Sequence, residues 1–290
     1  AGGTLVLSGG VTVVIPPDAM ASTKEIVISK YKPSDFFDGD VSHYIVIGCA
    51  PDGETFQKPV EIYFTAPEDL ESGQIDGVVG LIDAESGAME VYPTTGLTIE
   101  GKNTLKIETS HFSKYAGHFW EYPPYEAETL EIPHFNQGDS PYCWAAGLQM
   151  ICEAVRHDPV NEIHDIIGHV GIDEAGANPY TFRFSSRIAG MVKSRTGSSP
   201  DRKIWPLGSA YAMDGYIKDR IALGFPVLVS SPTEEHAFVV VGYRGNTFYI
   251  NDPASVEYNG FLSYTSKTKA DFKIDEMGVW DRFVTISIPA

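Results

Sequence analysis

Through the first 118 residues, apolar and polar side chains alternate in short runs. The clearest is Val11-Thr12-Val13-Val14-Ile15, and similar alternating or β-branched stretches cover residues 4–7, 25–29, 44–47, 60–65, 78–83, 97–99 and 105–108. A period of two marks a strand with one face on a core. Gly, Pro, Asn and Asp interrupt the runs at short intervals, as the turns of an antiparallel sheet require. No stretch here sustains helical periodicity. The expectation for residues 1–118 is an all-β sandwich.

The pattern then changes. Residues 119–130, rich in proline and aromatic side chains, read as a linker packed on a domain. From Cys143 to about His157, Leu148, Ile151, Cys152 and Val155 fall at spacings that make one apolar helical stripe. Further helices are predicted over 161–169, 183–195 and 210–223, followed by strands over 226–230, 237–243, 247–251 and 279–288. Helices first and an antiparallel sheet after them is an α+β order. The fold class expected is therefore multidomain, a β-sandwich followed by an α+β domain over residues 131–290.

A chain of 290 residues is long enough for two such domains. Its 43% hydrophobic and 21% charged content fits globular rather than disordered material. The net charge of −18 repels nucleic acid and anionic membranes, and no nucleic-acid partner is expected. No apolar run approaches the roughly 20 residues of a membrane span. Three cysteines, Cys49, Cys143 and Cys152, leave at least one thiol free, and their spacing suits no zinc site. Asp35, Asp38 and Asp40 lack ligand spacing and read as a solvated acidic loop. No metal or cofactor is expected.

Candidate chemistry sits in two segments. The first is Gln137-Gly138-Asp139-Ser140-Pro141-Tyr142-Cys143-Trp144-Ala145-Ala146; the second is His236-Ala237-Phe238-Val239-Val240-Val241-Gly242-Tyr243, followed by Asn251-Asp252-Pro253. A cysteine opening a helix, a histidine opening a strand and an Asn or Asp ending the next strand are the parts of a thiol hydrolase. The nucleophile must be a thiolate, which a helix N-terminus and an imidazolium both favour. The third group fixes the imidazole tautomer and orientation. Alone, a Cys at a helix start or a His before an apolar strand is ordinary core material. The two together, in this order, carry the reading.

These motifs resemble those of papain-like cysteine peptidases, which show Gln-Gly-x-x-x-x-Cys-Trp and His-Ala-x-x-x-Val-Gly-Tyr. The resemblance covers residues 131–290. It implies Cys143 as nucleophile, His236 as general base and acid, and Gln137 as side-chain donor of the oxyanion hole, with Trp144 in the core. The third role lies between Asn251 and Asp252, whose side chains point to opposite faces of a strand. The family's sixteen-residue spacing favours Asp252. The Asp-Pro at this place, and Asp-Ser-Pro-Tyr before Cys143 in place of the disulfide cysteine of the plant enzymes, resemble bacterial members such as leader peptidases and secreted effector proteases. Cys152 reads as core.

The N-terminal half resembles the β-sandwich shared by zonula-occludens proteins, netrin receptors and ankyrins. The likeness rests on Gly2-Gly3-Thr4-Leu5, on Gly10 to Ala19, on Pro51-Asp52-Gly53-Glu54-Thr55-Phe56-Gln57-Lys58-Pro59-Val60 and on His111-Phe112-Ser113-Lys114-Tyr115. It implies a module that binds or positions a protein partner. Some members cut themselves at a His-Phe-Ser; here the triplet reads as a plain strand end. The whole is expected to be a secreted or envelope cysteine endopeptidase of a bacterium acting on protein or peptide substrates. A papain-fold amidase or acyl transferase, and an inert adhesion protein, are the competing readings.

Overall fold

Strand β2 (Val11–Ile15) buries Val11, Val13 and Ile15 and leaves Thr12 and Val14 half-buried, as one-faced burial demands. The computed structural model describes residues 2–70, 75–83, 87–99, 101–121, 127–138, 141–156, 163–170, 182–206, 210–231, 236–245, 247–254, 262–265 and 282–288. The chain is mostly β, with four α-helices among the described residues. It divides into two units, one of Ala1–Phe37, Val41–Ile82 and Met89–Tyr122, the other of Asp38–Asp40, Asp83–Ala88 and Pro123–Ala290.

In the first unit, β1 (Gly3–Leu7), β2, β5 (Thr55–Thr65), β9 (Lys102–His111) and β8 (Thr95–Ile99) hydrogen-bond in that order. So do β7 (Met89–Val91), β6 (Ile75–Ile82), β10 (Lys114–Glu121), β4 (Tyr44–Ala50) and β3 (Val27–Tyr31). Neighbours are antiparallel throughout. Val13, Ile62, Phe64 and Ile107 from the first set share one core with Ile47, Val79, Tyr115 and Phe119 from the second. Strand β10 runs to Glu121 and buries Phe119 and Trp120. This corrects the start of the linker expected from residue 119: Phe119 and Trp120 are core side chains of a strand.

The second unit contains β11 (Ala127–Thr129), α1 (Cys143–Arg156), α2 (Ile163–Val170), α3 (Phe182–Thr196), β12 (Asp201–Pro206), α4 (Ala210–Ala222), β13 (Val227–Ser231), β14 (His236–Arg244), β15 (Thr247–Asn251), β16 (Leu262–Thr265) and β17 (Arg282–Ser287). Strand order is β16-β15-β14-β13-β17-β12, and β11 pairs with the second half of β14. Leu148 and Ile151 of α1, Ile166 of α2 and Met191 of α3 pack on Leu228, Val239, Val241 and Ile286 of the sheet.

Strand β11 also lies inside the expected linker, and β12 was not legible at all. Its charges are buried: Lys203 sits with its Nζ 2.9 and 3.0 Å from the two carboxylate oxygens of Asp201, and the Tyr216 hydroxyl donates to Asp201 Oδ2 at 2.9 Å. Buried charges paired in this way look polar in a hydropathy pattern. Residues 171–179, which the sequence suggests as a border of the cleft, lie outside the described residues.

Candidate active site

Helix α1 begins at Cys143, and its first turn closes when Ala145 N and Ala146 N donate to the Tyr142 carbonyl at 3.0 and 3.1 Å. The free N–H groups and partial positive charge of a helix start favour an anion at this position. Cys143 is 3% exposed and Trp144 4%, both within the core cluster between helix and sheet. Cys152, on the same helix, is fully buried, as its place on the apolar stripe predicts. Gly147 lets α1 approach the sheet, because a Cβ there would collide with the Leu228 side chain.

His236 is the first residue of β14, and Asp252 follows the last residue of β15. The two strands are antiparallel neighbours, with Val239 opposite Asn251, so their ends converge. His236 Nε2 lies 3.0 Å from Asp252 Oδ1, and both side chains are about one-fifth exposed. Ala254 N donates to the same oxygen at 2.9 Å. His236 also hydrogen-bonds Cys143; with Nε2 committed to the carboxylate, Nδ1 is the ring nitrogen left for the thiol.

The electrostatics follow from this geometry. Burial disfavours the His236 cation, but hydrogen bonds and charge from Asp252 and Cys143 together outweigh burial and push its pKa up to about 10. Burial would raise the Asp252 carboxyl. The His236 hydrogen bond and charge, with the Ala254 N–H, overcome it and hold Asp252 below the usual carboxylate range.

Asn251 faces elsewhere. It is buried, and its Nδ2 donates to the Ile132 carbonyl at 3.1 Å. Of the two candidates for the third role, the carboxylate is therefore the one beside the imidazole. Gln137 is half-buried, and its backbone N–H donates to the Pro253 carbonyl at 2.9 Å. That bond anchors Gln137 one residue past Asp252 and leaves its side chain out of the backbone contact.

One residue of this neighbourhood carried no signal in the sequence. His134 Nε2 lies 2.8 Å from the Asp252 carbonyl oxygen. A lone histidine in an irregular segment matches no spacing rule, and only the fold brings it to residue 252. Among the described residues, no three His, Cys, Asp or Glu side chains gather as a metal site. The arrangement of thiol, imidazole and carboxylate suits nucleophilic attack on an acyl carbon with proton transfer by the imidazole.

Residues 129–287 match the family described as Peptidase_C39 like family. Among solved structures, a chain described as a C39-like peptidase from Bacillus anthracis is 14% identical with a TM-score of 0.38, the alignment covering 57% of this chain and 98% of that one. UfSP from C. elegans is 16% identical with a TM-score of 0.33, over 58% of this chain and 35% of that one. No curated protein matches the chain.

Proposed function

The chain belongs to the Peptidase_C39 like family through residues 129–287, and from that premise we propose that it is a cysteine endopeptidase with Cys143, His236 and Asp252 as its triad. The observation that carries the reading is the 3.0 Å contact of His236 Nε2 with Asp252 on a ring that also hydrogen-bonds Cys143.

In this mechanism His236 takes the Cys143 proton, and the thiolate attacks the carbonyl carbon of the scissile peptide. The negative charge that develops on the carbonyl oxygen is met by the Gln137 side chain and the Cys143 N–H. The imidazolium of His236 then protonates the departing amine, leaving a thioester on Cys143. Water, deprotonated by His236, attacks the thioester; the acid leaves and the thiol is restored. Asp252 keeps the ring turned toward Cys143 and stabilises its cation throughout. The N-terminal strand unit is assigned the part of a binding or positioning module.

A thiol-directed affinity label and a peptide library test the reading together. Stoichiometric labelling of Cys143 at neutral pH with cleavage of peptide bonds is expected. Rapid labelling with turnover only of isopeptides or other amides would replace the endopeptidase with an amidase. An unreactive Cys143 would remove the enzyme.

A further inference from the structure

The segment leading to Gln137 is bound along its length to strand β14 and to the end of β15. Leu130 N donates to the Val241 carbonyl at 2.7 Å, and the Asn251 side chain donates to the Ile132 carbonyl at 3.1 Å. His134 Nε2 contacts the Asp252 carbonyl at 2.8 Å, and Gln137 N donates to the Pro253 carbonyl at 2.9 Å. Three consecutive residues, Asn251, Asp252 and Pro253, are thus each held by a different residue of this one segment. Because a carbonyl oxygen only accepts, His134 Nε2 carries the proton and donates.

We propose that His134 is a positioning residue. Its hydrogen bond to the Asp252 carbonyl fixes the peptide from which the carboxylate projects toward His236, and it keeps Gln137 in register with the same point. The proposal rests on reading Asp252 as the group that orients His236. The carboxylate itself is met at Oδ1 by His236 Nε2 and by Ala254 N from the following turn. Without the His134 bond, the Asp252 carbonyl loses its anchor between the held Asn251 and Pro253, and the carboxylate on the same residue shifts with it. Such small displacements matter, since a shift of about 1 Å in a reacting group can cost about 10²-fold in rate.

The charge of His134 is a separate influence, because its positive form also favours the ionised Asp252. Two amide substitutions separate reach from charge. Glutamine places its Nε2 the same number of bonds from Cβ as histidine does and is always neutral. Asparagine is one bond short. Steady-state kinetics and the pH profile of kcat/KM are measured on the full chain as wild type, His134→Gln, His134→Asn and Asp252→Ala, with thermal unfolding of each.

His134→Gln should stay within about threefold of wild type, and His134→Asn should lose about tenfold in kcat at unchanged KM. The alkaline limb of His134→Asn should move toward that of Asp252→Ala. The double variant His134→Asn/Asp252→Ala should be no slower than Asp252→Ala alone. Wild-type kinetics in His134→Asn, or an equal loss in both amide variants, overturns the proposal. If His134→Asn does not fold, His134→Gln decides alone: a retained rate and limb support the proposal, and their loss overturns it. An unmoved limb in Asp252→Ala instead sinks the triad itself, so the two failures are distinguishable.

Discussion

Asp252 and His236 meet at 3.0 Å although sixteen residues separate them, and neighbouring Asn251 turns its amide away to Ile132. Asp252→Ala is therefore expected to lower kcat/KM far more than Asn251→Ala. The second substitution breaks one bond to a backbone carbonyl and should show mainly as lost stability, about 1 kcal/mol by chemical denaturation. The reverse order of catalytic losses would hand the orienting role to Asn251.

The raised pKa of His236 sets a pH window. An imidazole gains its proton near pH 6.5 in the unfolded chain, whereas Asp252 and Cys143 push the folded value up to about 10. The stabilisation from this group is complete below the unfolded value and is lost as pH rises through the folded one. The imidazolium form should likewise persist in the site until about pH 10. The kcat/KM profile should keep its plateau well above neutrality and fall near that limit. In Asp252→Ala the fall should move to lower pH. Asp252 has the opposite sign: its contribution is present above the ordinary carboxylate pKa and disappears as pH drops through its lowered folded value.

Cys143→Ala should abolish turnover while leaving the fold in place, because a covalent nucleophile is worth many orders of magnitude in rate. The replacement is smaller and sits among buried neighbours, so only a modest loss of thermal stability is expected. Activity above a few per cent of wild type, with contamination excluded, would contradict the thiol mechanism.

Gln137→Ala should lower kcat by about 10²- to 10³-fold, the effect of removing one oxyanion donor. Its backbone bond to Pro253 survives the substitution. Alkylation of Cys143 should therefore proceed at nearly the wild-type rate. Loss of alkylation would mean that the side chain supports the fold or the contact of Cys143 with His236 instead.

The purified protein should run as one intact chain, unchanged by Ser113→Ala, under denaturing mass spectrometry. The peptide groups around Phe112 are regularly bonded. Phe112 N donates to Glu54, its carbonyl accepts from Gly53 N at 2.8 Å, and the Ser113 carbonyl accepts from Cys49 N at 2.9 Å. The His111 carbonyl accepts from the Tyr115 and Thr109 hydroxyls. Acyl shift needs a distorted peptide, and the described residue with a positive φ other than glycine is Asp18. Fragments split at Phe112-Ser113 would refute this.

How much of this was legible depended on periodicity. Helix α1 and strand β15 fall where the pattern placed them, because Leu148, Ile151 and Cys152 repeat at helical spacing and Phe248 and Ile250 alternate. The short β7 and β11 offer three residues each, too few to show a period. In β12, Asp201 and Lys203 occupy core positions because they satisfy each other and Tyr216, a partnership invisible along the chain. Cys143 and His236 were readable from motif and order. His134 was not, because its role depends on which backbone carbonyl the fold delivers to it.

The pairing of β11 with β14 has a consequence for where the peptidase unit can be cut. Ala127, Glu128 and Thr129 cover Arg244, Tyr243 and Gly242, and Gly242 permits the approach because a Cβ there would meet the Glu128 carbonyl at 2.7 Å. A version trimmed to begin at Glu131 would leave that length of β14 as a bare sheet edge in the middle of the unit. Unpaired N–H and C=O groups beside the buried Tyr243 would invite strand addition from another molecule. Trimmed at that point, the unit should aggregate more readily than one beginning ahead of Ala127, as size-exclusion chromatography of the two would show.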